Sequence, residues 1–247
     1  MEKYPTLKNA PITEALIDIR VKLPSSIDVK KIDSIYELIK EHYPVKQEQK
    51  VSEFKFEPKA EITVKSSEAK MHGYRYITAD KKQIVQTRLD GFTFSRLHPY
   101  ITWEQLRDEA YRLWKMYVDI TSPELIYRVA VRYINNLNIP MPIGDFGEYL
   151  TAPPIVPEKL PQGISSFFSR IVLPKPSINS FAIITQALET IIDTSKSLPI
   201  ILDIDAIHHN PDGLTEEDTW NILEDLRYYK NEIFFNSITK ELQELYE

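Results

Sequence analysis

The sequence predicts an α+β fold, a largely antiparallel sheet with helices packed on it. Three observations carry this. Long stretches alternate apolar and polar residues, the period of a half-buried strand. Helical stretches are too few to supply the crossover that every parallel strand pair needs. The element order of the first part, β-α-β-β-β-α, recurs in the second, as in a saddle built from a duplicated unit.

The elements follow in order. Between Pro11 and Leu23, Leu16, Asp18, Arg20 and Lys22 alternate with Ala15, Ile17, Ile19 and Val21, which predicts a strand. Ser26 is placed to cap a helix with Val29, Ile32, Ile35, Tyr36 and Ile39 on one face. A strand is expected over 51–65, where Pro58 marks an edge or a bulge. Residues 72–79 and 83–97 read as a hairpin around Ala79–Lys82, with Asp90-Gly91 bending its second arm. Thr102, with Gln105 three residues on, opens a helix whose stripe is Trp103, Leu106, Ala110, Leu113, Trp114 and Tyr117.

The second part opens with a strand over 125–139, Tyr127, Val129, Val131, Tyr133 and Leu137 on one face and Arg128, Ala130, Arg132, Ile134 and Asn136 on the other. A short helix over 145–150 and a proline-rich loop over 153–161 follow. Strands are expected at 165–173, 180–188 and 198–209. Thr215 caps the C-terminal helix, and Ser237 or Thr239 caps a final turn. In the long helix Trp220, Leu223, Leu226, Tyr229, Ile233 and Phe234 form the buried stripe. The stem of Lys230 widens it while its ammonium stays in water, and Glu217, Asp218, Glu224, Asp225 and Glu232 form an acidic ridge opposite. Thr102-Trp103-x-x-Leu106 is echoed by Thr219-Trp220-x-x-Leu223, which supports halves at 11–119 and 124–246. Only 120–123 links them, so one compact body over 1–247 is expected.

Composition narrows the chemistry. There is no cysteine, which excludes disulfides, a thiolate nucleophile and iron–sulfur clusters. Six glycines leave little for phosphate-binding loops, and neither GxGxxG nor GxxxxGK[ST] occurs. No apolar run approaches the roughly 18–20 residues that span a bilayer. The N-terminus lacks an apolar signal region, so a cytoplasmic protein is expected, with no membrane partner. The net charge is −6, divided as +3 up to Pro123 and −9 beyond it. The second part is therefore a poor surface for nucleic acid, and the lysines of the first alternate with glutamates.

The polar faces of the strands hold the candidate sites. Arg88 and Arg96 are eight residues apart and share a face in an unbroken strand, as do Arg128 and Arg132. Such guanidinium groups suit a phosphate or carboxylate ligand, or they pair across strands with Asp90, Asp203 or Asp205. Asp203, Asp205 and His209 also lie on one face, the pattern closest to a Mg²⁺ or Mn²⁺ site that would activate water for hydrolysis. The Arg–Asp reading accounts for both sets, so neither a metal nor any other cofactor is assigned. No serine stands in a GxSxG, and no catalytic residue is named. Phe167 and Phe168 are adjacent on a strand and so face opposite ways. That makes them, with Glu224 and Asp225, candidates for a partner surface.

The segments Asn9–Leu16, Asp90–Leu97, Tyr100–Trp103, Arg132–Asn135, Leu202–Asp205 and Lys230–Phe235 carry a resemblance. In this order, across nearly the whole chain, they are similar to a sporadically distributed family of uncharacterised prokaryotic proteins. The resemblance implies a bacterial or archaeal origin and an accessory or defence-associated setting, and it brings no catalytic assignment. One form of that setting is a companion supplying N-terminal and linker elements to a truncated Argonaute-like protein. The leading reading is a non-enzymatic accessory protein acting through a protein partner. The alternatives are a nucleic-acid-associated protein and a metal-dependent hydrolase.

Overall fold

A computed structural model describes residues 4–51, 70–188 and 197–247. Strand β1 (Ile12–Lys22) is followed by the short helices α1 (Val29–Asp33) and α2 (Tyr36–Ile39) and by strand β2 (Val45–Val51). Then come β3 (Lys70–Ile77), β4 (Gln83–Arg88), β5 (Gly91–Leu97) and helix α3 (Trp103–Thr121). The rest is β6 (Leu125–Pro140), a single helical turn at Phe146–Glu148, β7 (Phe167–Lys175), β8 (Ser180–Leu188), β9 (Ser197–Leu214), α4 (Glu216–Ser237) and α5 (Lys240–Glu244).

The nine strands form one sheet in the order β2-β3-β4-β5-β1-β6-β9-β8-β7, and every pairing is antiparallel. The order has a two-fold correspondence about the β1–β6 pair. β5 matches β9, β4 matches β8, β3 matches β7, and α3 follows β5 as α4 follows β9. The match lies in topology. Thr102 caps α3 and Thr215 caps α4, so the Thr-Trp echo at 219–220 stands one turn late and does not align the halves.

Side chains of one sheet face pack under the helices. Ala15, Ile17 and Ile19 of β1, Phe92 and Phe94 of β5, and Val129, Val131 and Tyr133 of β6 are essentially inaccessible to solvent. The α3 stripe of Trp103, Leu106, Ala110, Leu113, Trp114 and Tyr117 is buried against them. Trp114 meets Phe92 edge-on at 5.9 Å, and the Tyr117 hydroxyl donates to the Arg88 carbonyl at 2.8 Å. Helix α4 buries Leu223, Leu226, Tyr229, Ile233 and Phe234.

Several sequence expectations need correction. Asp28, not Ser26, caps α1 by accepting from the Lys31 N–H. The helix drawn through Ile39 breaks in two, because three-residue hydrogen bonds to the Lys31 and Ile32 carbonyls tighten the chain after α1. Strand β2 begins six residues before the expected 51–65 strand, which lies outside the described residues beyond Val51. Asp90-Gly91 is a full reversal between β4 and β5, so the single arm drawn over 83–97 is a second hairpin. Thr239 provides the last cap. Trp220 is half-buried in the crease between the long helices, edge-on to Tyr111 at 5.0 Å. It does not lie on the sheet.

Gly91 is required where β4, β5 and β1 converge. It has φ of +154°, and a Cβ added there would stand 2.3 Å from the Ile19 carbonyl oxygen. Backbone cannot yield as a flexible side chain does. Gly91→Ala is expected to lower unfolding stability by about 1–3 kcal/mol, measured by urea denaturation.

Candidate functional site

Among the described residues, the helices all lie on one face of the sheet. The other face carries the polar members of each alternating strand. In register, Leu16, Asp18 and Arg20 of β1 lie opposite Arg132, Ala130 and Arg128 of β6. Those in turn lie opposite Asp205, Ile207 and His209 of β9. The two middle strands thus juxtapose two like charges, Arg20 and Arg128, which is unfavourable unless an anion stands between them.

Asp18 is that anion. It is 7% exposed and takes hydrogen bonds from three arginines on three strands. Arg20 Nε lies at 3.0 Å, Arg88 from β4 at 3.0 Å and Arg128 from β6 at 2.6 Å. The Thr93 hydroxyl of β5 adds a fourth at 2.7 Å. Burial acts to raise the Asp18 pKa, but Arg20, Arg88, Thr93 and Arg128 outweigh it and hold the carboxyl below its ordinary value. Asp90, in the β4–β5 turn, receives the remaining capacity of Arg20 and Arg88 and also contacts His72 at 2.9 Å. Burial likewise opposes its ionisation, and Arg20, Arg88 and His72 hold its pKa down.

The lattice continues into the second half. Arg132 grips Asp203 with two hydrogen bonds, 2.9 and 2.6 Å. Arg128 reaches Asp205 at 3.7 Å. Asp205 is the least satisfied carboxylate here. Burial raises its pKa, and Arg128 and Arg132 only partly oppose that while Asp203 and Asp18 add to it. Four arginines (Arg20, Arg88, Arg128, Arg132) meet four aspartates (Asp18, Asp90, Asp203, Asp205), so the face is close to neutral.

Two candidate residues fall elsewhere. Arg96 lies on the helix face, because the β4–β5 reversal puts it opposite Gln83 and Arg88 opposite Gly91. Its Nε approaches the Pro99 carbonyl at 3.5 Å, and it takes no part in the lattice. His209 does share the open face with Asp203 and Asp205, but both carboxylates are engaged by arginines. His209 packs edge-on to Tyr127 at 6.0 Å. Among the described residues no three histidine, aspartate or glutamate side chains form a group that would hold a metal ion. Asp18, Arg20 and His72 are not among the site candidates that the sequence offers. Alternation assigns Asp18 a face, but its partners are up to 110 residues away.

The aromatic pair divides as adjacent strand residues must. Phe167 turns to the helix side and meets Phe146 edge-on at 5.9 Å. Phe168 turns to the open side and is 72% exposed. Glu224 does not form an outward ridge. It sits in the crease between α3 and α4, accepting from Trp103 Nε1 at 2.7 Å and from Arg107 at 3.0 Å, whereas Asp225 is exposed. Compared with protein-family models and with curated proteins, the chain matches none.

The two carboxylates Asp18 and Asp205 are expected to respond oppositely to neutralisation. Asp18→Asn leaves three buried or half-buried guanidinium groups short of an anion and should lower stability at pH 7 by about 3–5 kcal/mol. Asp205→Asn removes a charge that burial already disfavours and should leave stability at pH 7 unchanged or raised. The folded pKa of Asp18 is depressed. Its contribution is therefore present above the unfolded carboxylate value of about 3.9 and is lost as pH falls through the lower folded value. Asp205 has a raised folded pKa, so its unfavourable contribution is relieved as pH falls through that value. Urea melts of both variants from pH 3 to 7 check the pair.

Proposed function

We propose that this chain is a non-enzymatic accessory protein that engages a partner protein by adding an extended segment of the partner to its sheet at β7. The observation that carries the reading is the exposure of that edge. Among the described residues β7 is the last strand of the sheet, and along its nine residues none is buried. Phe168 and Val172 on one face and Ile171 and Leu173 on the other are 41–72% exposed. A long apolar edge with unpaired backbone groups is a template for another strand. The opposite edge, β2, alternates Lys46, Glu48 and Lys50 with glutamines, a composition that discourages pairing. The accessory, defence-associated setting implied by the resemblance belongs to this proposal, including a truncated Argonaute-like protein as one form of partner.

Nucleic-acid binding is the weaker reading. Arg20, Arg88, Arg128 and Arg132 already have carboxylate partners. A phosphate arriving at this central cluster would meet as many aspartates as arginines, so the electrostatic gain that drives such binding is small there. Hydrolysis at Asp203, Asp205 and His209 is disfavoured by the same arginines.

Co-expression with the products of adjacent genes tests the proposal. A captured partner should be lost at least tenfold on Ile171→Lys or Val172→Lys. The thermal midpoint should be unchanged, since exposed positions tolerate substitution within about 0.5 kcal/mol. Capture indifferent to both changes overturns the β7 assignment. Filter retention of DNA or RNA that falls steeply with salt would replace the proposal with the nucleic-acid reading.

A further inference from the structure

A half-open cavity of about 440 Å³ lies on the helix side, bounded by the N-terminal segment Tyr4–Lys8, the start of β1, the middle of β6, the N-terminal end of α3 and the second half of α4. That volume is within the range of small-molecule sites, roughly 300–1,000 Å³. One part of its wall is apolar and aromatic, with Leu7, Ile12, Trp103, Phe234 and Phe235, and the rest is polar.

Lys230 of α4 lines this space and is only 8% exposed. Its Nζ lies 3.7 Å from the centroid of the Tyr133 ring. Among the described residues it has neither a carboxylate within ion-pair distance nor a hydrogen-bond acceptor. Glu104, itself on the cavity wall, lies 4.0 Å from Arg227, and Glu224 lies 3.8 Å from it. The charged Lys8, Glu104 and Arg227 also line the cavity, with Asn135, Asn231 and the Tyr100–Tyr133 hydroxyl pair, whose oxygens are 2.9 Å apart. The positive end of the nineteen-residue α3, capped by Thr102, also borders it.

A cation buried among aromatic rings without an anion is costly, and proteins seldom leave one so. Burial, reinforced by the charge of Arg227, brings the Lys230 pKa down to about 7. An anion entering the cavity would offset that penalty, and the apolar walls would hold the rest of the molecule.

We infer that this cavity binds a small monocarboxylic acid with an aromatic or alkyl body, its carboxylate on Lys230 Nζ and its body against Trp103, Phe234 and Phe235. This stands apart from the β7 reading, since the cavity and the edge lie on different elements.

Calorimetric titration of the whole protein tests it, with 4-phenylbutyrate and decanoate as probes and 4-phenylbutyramide as the uncharged control. At least one acid should bind, and whichever binds more tightly distinguishes an aromatic from an alkyl ligand. The amide should bind at least tenfold more weakly than 4-phenylbutyrate if the aromatic acid is preferred. Lys230→Met keeps the length of the stem and removes the charge. It should weaken acid binding at least tenfold with an unchanged or higher thermal midpoint. Failure of both acids to bind at millimolar concentration, amide binding equal to that of the aromatic acid, or a Met variant that binds within twofold of the original would each overturn the inference. The acid–amide comparison uses the unaltered protein and so does not depend on how the variant folds.

Discussion

Asp18 stands on the seam where the two halves of the sheet meet, and the polar face is arranged around it. Its carboxylate accepts from Arg88 in β4, Arg20 in its own strand and Arg128 across the seam in β6. Three guanidinium groups around one anion leave an excess of positive charge. That excess is met outward on both sides, by Asp90 in the first half and by Asp205 and Asp203 in the second. Register enforces this. A slip of one residue between β1 and β6 would turn Asp18 toward the aromatic core and Ile17 or Ile19 toward the arginines. The buried ion cluster therefore contributes less as net stabilisation than as a penalty on every wrong pairing of the two central strands, a specific role that buried charges are known to serve.

The helix face and the polar face are connected through the backbone they share. The Tyr117 hydroxyl of α3 reaches through to the Arg88 carbonyl, at the strand end whose side chain holds Asp18. Gly91, at the next corner, lets the β4–β5 turn approach β1 closely enough for Asp90 to reach Arg20. The first half is thereby closed on both faces around one turn. Among the described residues the second half has no such closure at its far end, where β7 has a neighbour on one side only and exposes apolar side chains both ways. The two ends of a topologically matched sheet thus differ in kind: one edge is charged, and the other offers unpaired backbone and exposed side chains.

The parts of this that were legible in the sequence are those that depend on period. Alternation in β1, β6 and β9 placed most residues on the correct face, because a strand has only two faces to choose between; Tyr127 is the exception, since the irregularity at Ile126/Arg128 brings it against His209 on the polar side. The α3 stripe was legible for the same reason, at period 3.6. What alternation cannot provide is the neighbour. Asp18 was recognisable as polar and not as the hub, since its partners come from strands that topology alone brings beside it. Asp90-Gly91 carries a hairpin signal, but the apolar alternation resumes in Phe92 and Phe94 and imitates one bent strand. That imitation puts Arg88 and Arg96 on a common face, when the reversal sets them on opposite ones.

Lys230 shows the same limit in a helix. Its spacing places it beside the apolar stripe, and a long stem on such a boundary ordinarily carries its ammonium out to water. Here the route outward is closed by packing, with α4 lying over β6 and the ammonium over the Tyr133 ring. Asp18 and Arg88, the charged side chains buried deepest on the polar face, are matched: Asp18 has three arginines, and Arg88 has two aspartates. A protein that compensates ions so thoroughly on one side of its sheet has the residues to do so on the other. Glu104 lies by Arg227, and Glu224 is held by Trp103 and Arg107, so neither forms an ion pair with Lys230. If the role of Lys230 were only to fill space, a methionine would do so without the penalty of desolvating an amine. The amine is best explained by a counter-charge that arrives from outside the chain, in a cavity with the dimensions to admit it.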